Sequence, residues 1–246
     1  MALQEEFERD GNWLFRWRSY LPISLVLLLM FSMMHFKYLG NSETGDVAWE
    51  AICFCVSFLG LFIRAFTIGH TPHNTSGRNT KKQVAEKLNT SGIYSIVRHP
   101  LYLGNFFMML GVVMFGHHLW SISVFIPLYW LYYERIMFAE EAFLKGKFGD
   151  DYIAWANRTP AIIPRFKQYE RSPLPFSFKN VLRREYSGFF AVIASMFILE
   201  VYGDWRAKGY VEFDFYWMLI LITGFVLWFS LRYLKKKTKW LDVIGR

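Results

Sequence analysis

Six apolar stretches, some as long as a membrane helix and some shorter, constrain this chain more than anything else in it. They run from Leu21 to Phe36, Val47 to Phe66, Leu101 to Trp120, Ser121 to Tyr133, Gly188 to Tyr202 and Phe215 to Tyr233. A helix rises about 1.5 Å per residue, so crossing roughly 30 Å of hydrocarbon takes about 20 such residues. Of the 246 residues, 54% are apolar and 20% aromatic. Lipid offers no partner to an open backbone, so spans must be helices or a closed barrel. The expected fold is therefore an all-α integral membrane protein. It has about six transmembrane helices and short amphipathic helices on the cytoplasmic side, and it lacks a Rossmann domain, since no G-x-G-x-x-G follows a strand.

The charges sort by side. Lys and Arg number three before the first span, one after it, six from Arg64 at the end of the second span to Arg98, none in the next turn, ten between the fourth and fifth, two between the fifth and sixth, and six from Arg232 at the end of the sixth span onward. By the positive-inside rule this alternation puts both termini and the two long polar loops in the cytoplasm, in an inner membrane or an endoplasmic reticulum according to source. The net charge of +8 is then explained by membrane lipids as partners rather than by nucleic acid. Cys53 and Cys55 lie inside an apolar run and imply neither a disulfide framework nor a metal clamp. The charged, slightly acidic N-terminus does not read as a cleaved signal, so the first span is expected to stay. His117 and His118 mark a tight turn between the third and fourth spans. Asn74, Asn79 and Asn89 open tripeptides like glycosylation sites, which matter only outside the cytoplasm.

The polar residues that need explaining cluster at one membrane edge. In Gly92-Ile-Tyr-Ser-Ile-Val-Arg-His-Pro-Leu-Tyr-Leu-Gly104, Pro100 suits the first position of a helix. Arg98 and His99 then stand just outside a helix N-terminus, whose unpaired N–H groups favour an anion. The fourth span is only about 13 residues long, too short to cross alone, so the charged helix after it is expected to continue the same rod out of the membrane. That rod carries Glu140 and Glu141 towards Arg98, His99 and Tyr102. Such a pair of surfaces suits a zwitterionic, partly aromatic ligand, its carboxylate at the helix start and its amine at the glutamates.

The order Gly92-x-Tyr94-x3-Arg98-His99-Pro100-x-Tyr102-x-Gly104, then Glu140-Glu141-x2-Leu144-x3-Phe148-Gly149-x2-Tyr152, then Thr159-Pro160 and Ile163-Pro164, resembles the isoprenylcysteine carboxyl methyltransferase family. Phospholipid N-methyltransferases are more distant relatives, and the resemblance covers roughly residues 50 to 166. It implies S-adenosyl-L-methionine as methyl donor. His99, Pro100, Tyr102, Leu103 and Gly104 would meet the donor at the helix start. Glu140 and Glu141 would take its polar or cationic groups, and Tyr94 and Pro164 would wall the site. Arg98 would orient the donor's carboxylate or an anionic acceptor, with Arg135 and Arg158 as further candidates for the acceptor's anion. No metal is implied.

The expected organisation is an interfacial segment and first span at 1–47, a methyltransferase core at 48–166, and an extension at 167–246 with two further spans and the basic tail Lys235 to Lys239. Typical relatives end soon after the Pro-rich segment. The extension is read as a packing or homo-oligomerisation element, or as a substrate wall, and it leaves open whether the methyl acceptor is prenylated or another lipid, such as a lipid A phosphate. Glu200, near the end of the fifth span, is an intramembrane acid and a functional candidate by default. A transporter would need more charge at midspan, and a membrane reductase would need a nicotinamide-binding extension that the sequence does not show.

Overall fold

The computed structural model of the chain describes residues 2–18, 20–34, 36–38, 43–72 and 83–245, without the side chains of residues 21–24, 27, 43 and 44. Asn74 and Asn79 lie outside the described residues. Eight α-helices are described: α1 (Leu3–Trp17), α2 (Leu21–Met33), α3 (Glu43–Gly69), α4 (Pro100–Met114), α5 (Leu119–Phe148), α6 (Asp150–Arg158), α7 (Phe178–Lys208) and α8 (Phe215–Lys237). Among the described residues there is no strand, only an isolated bridge between Gly92 and Glu170.

Of the six expected spans, three have the length and apolarity to cross a membrane: Gly45–Gly69, Phe178–Lys208 and Phe215–Lys237. Helix α4 is apolar but has 15 residues, about 22 Å. Helix α2 stops at 13 residues. The fourth expected span is part of the 30-residue α5, about 45 Å long, which runs unbroken through Pro127 into the charged segment. Gly149, at φ 53°, ends it and starts α6.

The start of the fifth span, expected at Gly188, is corrected. Helix α7 begins at Phe178, with the Ser177 side chain accepting from the Asn180 N–H. Arg183, Arg184 and Glu185 are therefore helical; Arg183 stands 3.3 Å from Asp242, and Glu185 pairs with Arg64 of α3. Asp214 caps α8 by accepting from the N–H groups of Tyr216 and Trp217.

Small residues let the helices approach. A methyl group at Gly60 would run into the carbonyl oxygen of Gly104, and one at Gly111 into Ser57 and the Cys53 carbonyl, so α3 and α4 touch backbone to backbone. Helix α1 packs on another helix. Gly11 abuts the Arg135 carbonyl, and the Tyr132 hydroxyl donates to the Leu14 carbonyl, which lays α1 along α5. The core between these layers holds Phe106, Val113, Phe125, Tyr129, Ile136 and Met196.

At the end of the molecule away from Arg98, Asp46, Glu50 and Glu200 bring carboxylate oxygens within 4.8 Å of one another. His117, at φ 59°, places Nε2 3.0 Å from Asp46 Oδ1, and the Trp217 indole donates to Glu50 Oε2 at 3.2 Å. Glu200 thus belongs to a polar knot that ties α3 and α7 to the turn before α5.

Candidate active site

The loop before α4 is held by backbone bonds from the Pro-containing segment. The Arg98 N–H donates to the Pro160 carbonyl at 2.9 Å, the His99 N–H to Ala161 at 3.3 Å, and the Arg165 N–H to Ile96 at 3.0 Å. Gly92 takes φ 63° where its N–H meets the Glu170 carbonyl at 2.8 Å, a conformation that glycine adopts without a Cβ penalty. The Trp155 indole donates to the Tyr94 carbonyl at 2.9 Å. The prolines cannot continue α6 as a helix, so their segment is free to strap the loop. His99 is the N-cap of α4 and makes no side-chain cap bond; Pro100 follows at N1. The imidazole is thereby released to reach another helix.

That helix is α5. His99 Nε2 lies 2.8 Å from Glu141 Oε1, and Arg98 Nε lies 3.2 Å from the same oxygen without the alignment of a hydrogen bond. The Tyr102 hydroxyl donates to Glu140 Oε1 at 2.6 Å, while Arg18, just past the end of α1, approaches that oxygen at 3.7 Å. Tyr129 in turn donates to the Tyr102 carbonyl at 2.7 Å. Burial works to raise the Glu141 pKa, but the His99 hydrogen bond and the His99 and Arg98 charges outweigh it. The carboxyl therefore sits below its usual range.

These groups form the polar end of a cavity of about 790 Å³, a size suited to small-molecule ligands. Tyr94, Arg98, His99, Pro100, Tyr102, Glu140 and Glu141 line it. Five other expected site residues do not. One residue on from Tyr102 the helix has turned by about 100°, so Leu103 leaves the lining, and Gly104 packs against Gly60 and Arg64 of α3. Pro164 lies outside the lining, in the strap. Arg135 points at α1, its guanidinium 3.6 Å above the Phe7 ring. Arg158 is 56% exposed and stands 3.7 Å from Glu170.

A second polar station, not expected from the sequence, lies in the same cavity. Arg64 of α3 grips Glu185 of α7 with two hydrogen bonds, Nε to Oε2 at 2.6 Å and Nη2 to Oε1 at 2.8 Å, and gives a third to Asn105 Oδ1 at 2.7 Å. A lone arginine at the end of an apolar span was the available signal. Glu185 carried none, hidden in a run of charges. Through it, α7 becomes a wall of the cavity.

Residues 52–151 match the model of the phospholipid methyltransferase family. The protein-S-isoprenylcysteine O-methyltransferase of Schizosaccharomyces pombe is 35% identical over 95 residues, 36% of this chain and 40% of that protein. That of Saccharomyces cerevisiae is 31% identical over 107 residues, covering 43% and 45%. The nickel-cobalt-cadmium resistance protein NccN of Alcaligenes xylosoxydans xylosoxydans is 28% identical over 157 residues, covering 62% and 65%. The chain thus spans less than half the length of the two yeast relatives. No solved structure matches it. The resemblance carried by the Arg-His-Pro and Glu-Glu motifs is therefore also a similarity in sequence to membrane methyltransferases, and the family model runs from α3 to the start of α6.

Proposed function

We propose that the chain is a membrane-embedded methyltransferase that uses S-adenosyl-L-methionine and acts on an anionic group, carboxylate or phosphate, of a lipid-like or prenylated acceptor. The observation that carries this reading is the polar end of the cavity, where a helix start with Arg98 and His99 faces Glu140 and Glu141 across a few ångströms. The residues fit such a donor. The free N–H groups at the start of α4, together with Arg98, whose Nε lacks an aligned partner, suit its carboxylate. Each glutamate accepts up to about four hydrogen bonds, so both keep capacity for an ammonium beside His99 and Tyr102. Tyr94, Tyr102 and Trp155 offer aromatic wall to a purine.

The donor, when bound, supplies a methyl group already activated on a sulfonium. The work left to the chain is to orient, to hold charge and to exclude water. An anionic acceptor needs no proton removed, so positioning residues suffice: His99 fixes Glu141, Tyr102 fixes Glu140, and the strap fixes Arg98. An amine acceptor would call on Glu141 or His99 as base. The charge count supports a cytoplasmic active site and cytoplasmic termini.

The test is binding of S-adenosyl-L-methionine to the purified protein in detergent. Wild type is expected to bind, and His99→Ala and Glu141→Ala to lose binding. Tight binding of a nicotinamide nucleotide alone, or of neither, would remove the proposal. Methyl-labelled donor added to membrane extracts then shows whether protein, phospholipid or glycolipid takes the label.

A further inference from the structure

Tyr152, near the start of α6, is a buried polar group that the contacts described above leave unused. The short helix after Gly149 carries Tyr152 and Trp155 three residues apart on one face. Each is 4% exposed, while Asp151, Ile153 and Ala154 are exposed. The Trp155 indole is fastened to the Tyr94 carbonyl, and the two rings meet edge to face at 5.8 Å, so the Tyr152 ring is held in place. Its hydroxyl has no hydrogen-bond partner, although it lies within electrostatic reach of Glu141 and Arg98. A buried hydroxyl without a partner is costly and calls for a reason. Ser32 and Thr159 also bury one, but neither lines the cavity, and Tyr152 does. Arg98 Nε, beside the same Glu141, is likewise buried without an aligned partner. Burial, and then the Glu141 charge, push the Tyr152 pKa up, so the hydroxyl keeps its proton and can donate. Two unused hydrogen-bond donors thus stand at the polar end of the cavity, beside Glu141 and close to the start of α4.

We infer that the Tyr152 hydroxyl and Arg98 Nε form a two-pronged seat for one carboxylate, that of the amino-acid tail of S-adenosyl-L-methionine. Each prong offers a hydrogen, so the matching ligand atom is an acceptor, and the Arg98 charge favours an anionic one. The sulfonium and the ammonium of the methyl donor are both repelled by Arg98, which leaves its carboxylate as the charged group that fits. The ammonium stays with Glu140 and Glu141. A hydroxyl that is buried without a partner gains its whole bond when the carboxylate arrives. It therefore acts on specificity: it favours ligands that bring a carboxylate and adds nothing for those that lack one. The assignment to this carboxylate rests on the function proposed above.

The test compares wild type with Tyr152→Phe, both full length in detergent, by isothermal titration. The ligands are S-adenosyl-L-methionine, S-adenosyl-L-homocysteine and methylthioadenosine, the last of which lacks the amino-acid tail. Tyr152→Phe keeps the ring and its packing against Trp155, so it should fold. It is expected to weaken the two ligands that carry the tail by about tenfold or more, the factor that about 1.4 kcal/mol corresponds to, and to leave methylthioadenosine unchanged. Without ligand, its melting temperature should equal or exceed that of wild type, because the substitution breaks no bond of the hydroxyl. A fall in that melting temperature would make the hydroxyl structural and overturn the inference. So would unchanged affinity for all three ligands, or an equal loss for all three, in a wild type that binds them; the methyltransferase reading then stands. A wild type that binds none of the three removes the methyltransferase reading and the carboxylate seat with it.

Discussion

Removing Glu185 tests whether the C-terminal extension is locked to the site by charge. The Glu185 side chain is 5% exposed and the Arg64 side chain 18%, and two hydrogen bonds of 2.6 and 2.8 Å join them. Breaking a buried pair by deleting one partner costs about 3–5 kcal/mol, because the survivor is left charged and unpaired. Arg64 cannot shed its proton, so in Glu185→Leu its charge keeps only Asn105 as an acceptor. Glu185, left alone in Arg64→Met, has the escape of protonation. Glu185→Leu is therefore expected near 3 kcal/mol or above, and Arg64→Met lower. For a chain of this length 1 kcal/mol moves the melting temperature by about 2–4 °C, which puts Glu185→Leu roughly 6–12 °C below wild type. The double variant, with apolar side chains of similar volume, should recover most of that loss. Tryptophan-fluorescence melting of the four proteins in one detergent closes the cycle. A double variant that falls by the sum of the two single losses would refute the coupling.

Other perturbations follow from the same contacts. Tyr102→Phe removes the 2.6 Å bond to Glu140 and is expected to weaken donor binding by about 1.5–3 kcal/mol, the range for a bond to a charged group, in isothermal titration. Because the Glu141 pKa is depressed in the folded protein, its contribution is present above the unfolded value of about 4.3 and is lost as pH falls through the lower folded value. Melting temperature should therefore drop as pH falls from about 5 towards 3, and Glu141→Gln should flatten that part of the profile. Gly111→Leu forces α3 and α4 apart at Ser57 and Cys53 and should lower the melting temperature of the whole molecule sharply, which a change at the exposed Gly146 would not do. Three carboxylates within 4.8 Å repel one another when ionised, so Glu200→Gln should be neutral or stabilising and His117→Ala destabilising in the same melting assay.

The sequence by itself determined the helices and much of the polar end of the site. Helices are local: their hydrogen bonds lie within four residues, and apolar runs, Pro100 and Gly149 announce where they run and stop. The approach of Glu140 and Glu141 to Arg98 and His99 was legible because one short span demanded a rod continuing out of the membrane, and α5 is that rod. Which residues of a motif face the cavity was not legible from order alone. Leu103 and Gly104 share the motif with Tyr102, but the helical turn sends Gly104 into α3, and Arg135 is claimed by Phe7 of a segment more than a hundred residues earlier.

Only the tertiary structure decided the role of the extension. Arg183, Arg184 and Glu185 fall before the expected fifth span, in a long polar loop, because a run of charges signals solvent. All three lie in α7, and Glu185 is buried there because Arg64, over a hundred residues away in sequence, supplies the opposite charge in the interior. The knot of Asp46, Glu50 and Glu200 was hidden for the same reason. Burial reverses what a charged residue means, and a charge is buried only where distant parts of the chain meet it with a partner.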